Sequence, residues 1–218
     1  MIENILKSIE NEKIIAIIRN VEKEKLSKLC RALYEGGIRF VECTFDARGI
    51  VTDTETADKI KLISEEFDGM LTVGAGTVLN ETQVELTKNA GGKFIISPDV
   101  NTDVIKKTKE LGLISMPGAL TPSEITAAHN AGADFIKLFP VNAVGGIDYF
   151  KAISAPLSHI KFLAVGGVNE NNISDFIRAG FSGVGIGTGI VNRKMLDTDD
   201  YEGIRELAKT FVSNSKSI

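Results

Sequence analysis

Histidine and cysteine are scarce, with two residues of each, and no apolar run approaches the ~20 residues that a membrane-spanning helix needs. The missing run argues against a membrane partner. The N-terminus is polar and reads as a helix, without the form of a signal peptide, so a cytoplasmic location is expected. Cys30 and Cys43 form neither a disulfide framework nor a metal-type pair, and are expected to be packing thiols in a reducing compartment. His129 falls in the helical AAHNAG segment and His159 in a loop. Neither stands at a strand end, so no metal site is expected. Positive charge is also in deficit. A formal net charge of -4 offers no reason for nucleic acid or an anionic membrane to be a partner, so any anionic ligand must be held by local groups.

What is present is regular. The 218 residues are 43% apolar and 25% charged, which fits a single globular domain over residues 1–218. Eight short β-branched runs recur: IIAIIRN, FVECTF, LTVGAGT, FIISP, LISMPGA, FIKLFP, FLAVGGV and GVGIGTG, starting at Ile14, Phe40, Leu71, Phe94, Leu113, Phe135, Phe162 and Gly183. Segments with helical periodicity separate them. Residues 22–35 place Leu26, Leu29 and Leu33 on one stripe, Asn101 opens another helix, and Thr121-Pro122 reads as an N-cap followed by proline at the first helical position. Gly36, Gly91, Gly132 and Gly180 stand where left-handed C-cap residues would turn helix into strand. Such βα alternation predicts an α/β fold, a closed parallel (β/α)8 barrel of the TIM type, with residues 1–11 as an extra helix beneath it. A doubly wound open sheet is the alternative. It would place a glycine cluster after the first strand, where Arg19-Asn20 stands instead, and GAGTVL (Gly74–Leu79) lacks the spacing of a dinucleotide site.

Strand alternation then sorts the side chains. In FIKLFP, Phe135, Lys137 and Phe139 share one face while Ile136 and Leu138 share the other, which suits a helix layer. Lys137 therefore projects into the barrel. The same count turns Ile15, Ile17 and Arg19 inward on the first strand, and Phe40, Glu42 and Thr44 inward on the second. A buried Lys137–Glu42 ion pair, or a register one residue off, would be the structural explanation of a single inward charge. Three strands delivering Arg19, Glu42 and Lys137 to one barrel rim favour a catalytic site. An amine dried by Phe135 and Phe139 has its pKa lowered and becomes a nucleophile toward a carbonyl, with Glu42 placed to shuttle protons. Schiff-base chemistry needs no cofactor.

AVGGV (Ala164–Val168) and GIGTG (Gly185–Gly189) close the last two strands, where barrel enzymes hold phosphate with backbone amides; Thr188 adds a hydroxyl. Tight turns alone could also require these glycines. By itself the pattern suits any sugar-phosphate epimerase, isomerase, synthase or aldolase on this fold.

Taken with IIAIIRN, VECT, VGAGTVL, FIISP, PGALTPSE, IKLFP and AVGGV, the chain resembles the 2-keto-3-deoxy-6-phosphogluconate (KDPG) / 4-hydroxy-2-oxoglutarate (KHG) aldolase family along nearly its whole length. The resemblance implies a class I aldolase, a homotrimer, that cleaves a 2-keto-3-deoxy-6-phosphosugar acid to pyruvate and glyceraldehyde 3-phosphate. KHG cleavage to pyruvate and glyoxylate falls within the same expectation. It makes Lys137 the imine-forming lysine and Glu42 the acid/base. Arg19, Thr77, Pro98 and Phe139 would line the pyruvate end, and Gly166, Gly167, Gly187 and Thr188 the phosphate end. The family often reads E-x-T-x-R on the second strand, its arginine helping to hold the carboxylate. Here Asp46 takes that position and Arg48 follows two residues later; either Arg48 swings in from the loop as a substitute or the substrate differs from the usual one. Three alternatives stay open: a galactonate-derived substrate, a sugar-phosphate isomerase or epimerase using Glu42 as base, and a binding protein without catalysis.

Overall fold

The computed structural model describes residues 2–216. Helix α1 (Ile2–Glu12) leads into β1 (Ile14–Ile18), α2 (Lys23–Glu35), β2 (Phe40–Thr44), α3 (Asp53–Glu66), β3 (Thr72–Gly76), α4 (Glu81–Asn89), β4 (Phe94–Ile96) and α5 (Thr102–Glu110). The second half runs through β5 (Ile114–Met116), β6 (Gly118–Ala119), α6 (Pro122–Asn130), β7 (Ile136–Leu138), α7 (Gly146–Ser154), β8 (Phe162–Val165), α8 (Ile173–Ala179), β9 (Gly183–Ile186), α9 (Arg193–Asp197) and α10 (Tyr201–Lys216). A 3-10 turn at Val141–Val144 joins β7 to α7.

All strand pairs are parallel, in the order β5-β4-β3-β2-β1-β9-β8-β7-β6. The two ends of that order adjoin in the chain, so the wall curls into a nearly closed barrel rather than an open sheet. Nine strands appear where eight runs are expected, because the fifth run is split at Pro117, which has no N–H to donate to a ladder. Its halves face different neighbours, β5 pairing with β4 and β6 with β7. The proline carbonyl still serves the wall, accepting the backbone N–H of Lys137 at 2.9 Å.

Alternation divides the core into two layers. Ile14, Ala16, Ile18, Val41, Cys43, Ile136 and Leu138 face the helices, while Ile15, Phe40, Phe94, Ile96, Phe135 and Leu163 fill the lower barrel. Each fully buried side chain of this size contributes about 1.5–3 kcal/mol. Ile2, Ile5, Leu6 and Ile9 form one stripe of α1 and plug the barrel from below, as their i, i+3, i+4, i+7 spacing requires. Room inside is made by glycine: a Cβ on Gly74 would lie 2.3 Å from the Phe94 ring.

Thr121 accepts from Glu124 N–H in a capping box with Pro122 in the first turn, and Asn101 caps α5. The expected left-handed glycines occur at Gly91, Gly132 and Gly180, with φ of 88°, 106° and 110°. Gly36 departs from the expectation. It is right-handed, with φ of -73°, and the left-handed residue is Gly37 at 98°. Glycine at 36 serves packing instead, since a Cβ there would meet the Ala208 Cβ at 2.4 Å where α2 crosses α10.

Candidate active site

A cavity of about 650 Å³ opens at the C-terminal ends of the strands. Its lining includes Lys137 and Glu42 at depth, Arg19, Thr77, Pro98 and Phe139 on one side, and Gly166, Gly167, Gly187 and Thr188 on the other. Of the residues expected from the sequence, Arg48 alone is outside this lining. Ile17, Val165 and Gly185 form the apolar layer between the cavity and the lower core.

Lys137 comes from the middle of β7 and Glu42 from the middle of β2, exposed by only 7% and 2%. Burial disfavours both charged forms. It pushes the Lys137 ammonium below its ordinary value, with Arg19 acting in the same sense and Glu42 opposing. For Glu42, burial dominates the attraction of Lys137 and Arg19 and raises the carboxyl to about 7. Oε2 of Glu42 is buried without a hydrogen-bond partner among the described residues. The two aromatic neighbours of Lys137 act differently. Phe135 is buried beneath it, whereas the Phe139 ring is 37% exposed at the mouth. The Lys137 Nζ lies 4.6 Å from the Phe139 centroid, where the ring face favours the ammonium. Burial of the amine as a whole is the main cause of its lowered pKa.

Sequence reading misses Gly76, although the G-A-G spacing of β3 carries the signal: residues two apart point the same way. A Cβ on Gly76 would overlap the Glu42 carboxylate. Asn169, also missed, lines the cavity beside the glycines.

Two rim residues hold left-handed backbone without being glycine. Asn20 has φ of 53° and Thr77 of 56°, the latter unusual for a β-branched residue and costing on the order of 1–3 kcal/mol. Arg19 Nη2 donates to Thr77 Oγ1 at 3.4 Å. Beside them, Asp46 turns back on its own loop. Its carboxylate accepts the Arg48 side chain at 3.0 Å and the backbone N–H groups of Arg48, Ile50 and Val51 at 3.2, 3.2 and 3.3 Å. The Arg48 hydrogen bond is the main cause that lowers Asp46 to about 2. Arg48 borders a second cavity of about 330 Å³ that shares Arg19 and Thr77 with the first.

At the opposite end, Gly166 and Gly167 take φ of 100° and 80° in succession. A Cβ on Gly167 would reach within 2.1 Å of Asn142 Nδ2. Asn172 fastens this turn, donating to the Gly167 carbonyl at 2.9 Å and accepting from Asn169 N–H at 2.8 Å. The Gly187 carbonyl accepts from Ile190 and Val191 N–H, closing a tight turn around Thr188. Both glycine segments thus bring bare backbone to one wall of the cavity.

Among the described residues no group of three or more His, Cys, Asp or Glu is gathered to hold a metal, and no helix is long and apolar enough to cross a membrane. His129 and His159 stack edge to face with centroids 5.0 Å apart, and neither lines the cavity that holds Lys137 and Glu42.

The chain is similar to known proteins along most of its length. A family model described as "KDPG and KHG aldolase" matches residues 2–207. A probable 2-dehydro-3-deoxy-6-phosphogalactonate aldolase of Rhizobium meliloti (strain 1021) is 35% identical over 179 residues, 81% of either chain. A KHG/KDPG aldolase of Escherichia coli (strain K12) is 30% identical over 203 residues, 93% of this chain and 92% of the relative. Among solved structures, a KDPG aldolase of Legionella pneumophila with pyruvate captured as a covalent carbinolamine superposes with a TM-score of 0.85 at 27% identity, covering 94% and 97% of the two chains.

Proposed function

The chain belongs to the KDPG and KHG aldolase family and is an aldolase, a carbon–carbon lyase; on that premise we propose that it works by imine formation on Lys137 with Glu42 as the acid/base. The observation that carries the reading is the pair itself: an amine and a carboxyl, both buried at the bottom of one cavity, each driven toward its neutral form. A neutral Lys137 attacks the C2 ketone, and loss of water from the carbinolamine leaves a protonated imine. Glu42 in its ionised form takes the C4 hydroxyl proton. The C3–C4 bond then breaks, its electron pair passes into the imine to give an enamine, and the aldehyde departs. Protonated Glu42 returns the proton to C3, and water hydrolyses the pyruvyl imine. A carboxyl near 7 suits both halves of this cycle at neutral pH.

The substrate class is a 2-keto-3-deoxy-6-phosphosugar acid, released as pyruvate and glyceraldehyde 3-phosphate, with KHG as a second substrate. Arg19, Thr77, Pro98, Phe139 and Arg48 face the pyruvate end. Gly166, Gly167, Gly187 and Thr188 face the phosphate, supported by the bare backbone of that wall. The R. meliloti relative supports a second reading, the galactonate-derived acid. Turnover of the two C4-epimeric acids compared side by side decides between them. Residues 1–218 would act as one catalytic domain, in a homotrimer and in the cytoplasm, as the family resemblance implies; the two buried free thiols suit a reducing compartment. Borohydride added with pyruvate tests the chemistry: a reduced pyruvyl adduct on the Lys137 peptide is expected, and an unmodified protein retaining full aldolase activity would overturn the mechanism.

A further inference from the structure

The second cavity shares Arg19 and Thr77 with the first, and its polar lining is completed by Asn20, Thr44, Asp46 and Arg48. Its two arginines are held differently. Arg19 donates to the neutral Thr77 hydroxyl over a long 3.4 Å, whereas Arg48 is gripped by Asp46 through Nε and its own backbone N–H. That grip is made through Nε, while the terminal Nη2 of Arg48 reaches Asn20 Oδ1 at 3.4 Å. Asn20 is itself fixed, its carbonyl accepting Arg193 Nη1 at 3.0 Å while its backbone sits in the left-handed region.

Asp46 receives four hydrogen bonds, about the number that a carboxylate can accept, and its side chain is only 9% exposed against 61% for Arg48. The acid is therefore turned inward upon the loop while the base is presented outward. Summed over this recess, Arg19, Arg48 and Asp46 leave one positive charge, the complement of one carboxylate.

We propose that Asp46 is a positioning residue, holding Arg48 at the rim so that Arg19 and Arg48 together receive the carboxylate of the 2-keto acid in the recess they share with Asn20 and Thr77. The inference rests on the Schiff-base reading above, which brings C2 to Lys137 and so leaves C1 to the end of the cavity away from the glycine wall. It makes an aspartate beside a carboxylate site attractive in effect, since its charge is absorbed by the arginine it orders.

The test is the concentration of ketone that half-saturates borohydride trapping on the whole enzyme, read with pyruvate and with the neutral analogue pyruvamide. Arg48→Gln and Asp46→Asn should each raise the pyruvate value about tenfold, the loss of one charge-assisted contact. The double variant should be no worse than Arg48→Gln alone, because the aspartate acts through the arginine. Pyruvamide values should stay within about twofold of wild type. An unchanged pyruvate value in Arg48→Gln, an equal penalty for pyruvamide, or additive effects in the double variant would each overturn the proposal. Should Asp46→Asn fail to fold, Asp46→Ser takes its place with the same expected outcomes, because Arg48→Gln alone tests the contact with the carboxylate and not the part of the aspartate in it. Failure of the wild-type enzyme to be trapped at all would sink the Schiff-base reading, and this inference with it, whereas a trapped wild type with an indifferent Arg48 variant sinks only the inference.

Discussion

A Cβ placed on Gly76 would lie within 2.3 Å of Oε1 of Glu42, so the glycine of β3 and the acid of β2 share one volume inside the barrel. Their Cα atoms stand two residues out of step across the strand pair, Glu42 opposite Gly74 and Thr44 opposite Gly76, so the acid side chain leans toward the C-terminal end of its neighbour. Gly76→Ala should displace the carboxylate from beneath the substrate. A fall in kcat/KM of about a hundredfold is expected, with a stability loss of about 1–3 kcal/mol from overpacking, measured by steady-state assay and urea denaturation.

Glu42 also makes stability depend on pH in a fixed sense. Its carboxyl is raised from 4.5 to about 7 by folding, so the folded state keeps a proton that the unfolded chain gives up. Below about 4.5 both states are protonated and the contribution is full. It diminishes as pH rises toward 7 and levels off above. Relative to Glu42→Gln, a neutral mimic of the protonated acid, the wild type should lose stability between pH 4.5 and 7, seen as a urea midpoint that falls against that of the variant; a difference independent of pH would contradict the burial of this acid.

Gly167→Ala forces a side chain into a left-handed backbone and against Asn142 Nδ2. The turn must shift, and the amides of the glycine wall with it. KM for the phosphorylated keto acid should rise about tenfold or more, while trapping with pyruvate, which lacks the phosphate, should change less than about twofold.

Beneath the site, Ile9→Ala opens a cavity in the plug made by α1. A loss of about 2–5 kcal/mol is expected, read as a lowered Tm, with Lys137 still trapped by pyruvate below the new transition.

Much of this was legible from alternation alone. Counting by twos puts Lys137, Glu42 and Phe40 inside and Val41, Ile136 and Leu138 outside, because a pleat turns successive side chains to opposite faces whatever the tertiary fold. Features set by neighbours distant in sequence were not legible. Gly36 and Gly37 are chemically identical, and only the crossing of α10 decides which of them needs space and which needs a left-handed φ. The family pattern E-x-T-x-R puts Asp46 where a carboxylate-holding arginine often stands, but it cannot show that four hydrogen bonds within its loop turn this aspartate back. Pro117 was visible as a residue, but its effect, one run serving two different neighbours, depends on where the wall closes. Phe139 kept its inward parity yet lies at the mouth, since β7 ends one residue before it.

The apolar floor of Ile15, Phe40, Phe94, Phe135 and Leu163 has a bearing on traffic as well as on stability. With the shaft stoppered from below, an acid as enclosed as Glu42 exchanges hydrogen with bulk solvent through the same doorway that admits the reactant. While that doorway is occupied, whatever hydrogen the acid has collected stays in the chamber until the guest leaves or takes it back.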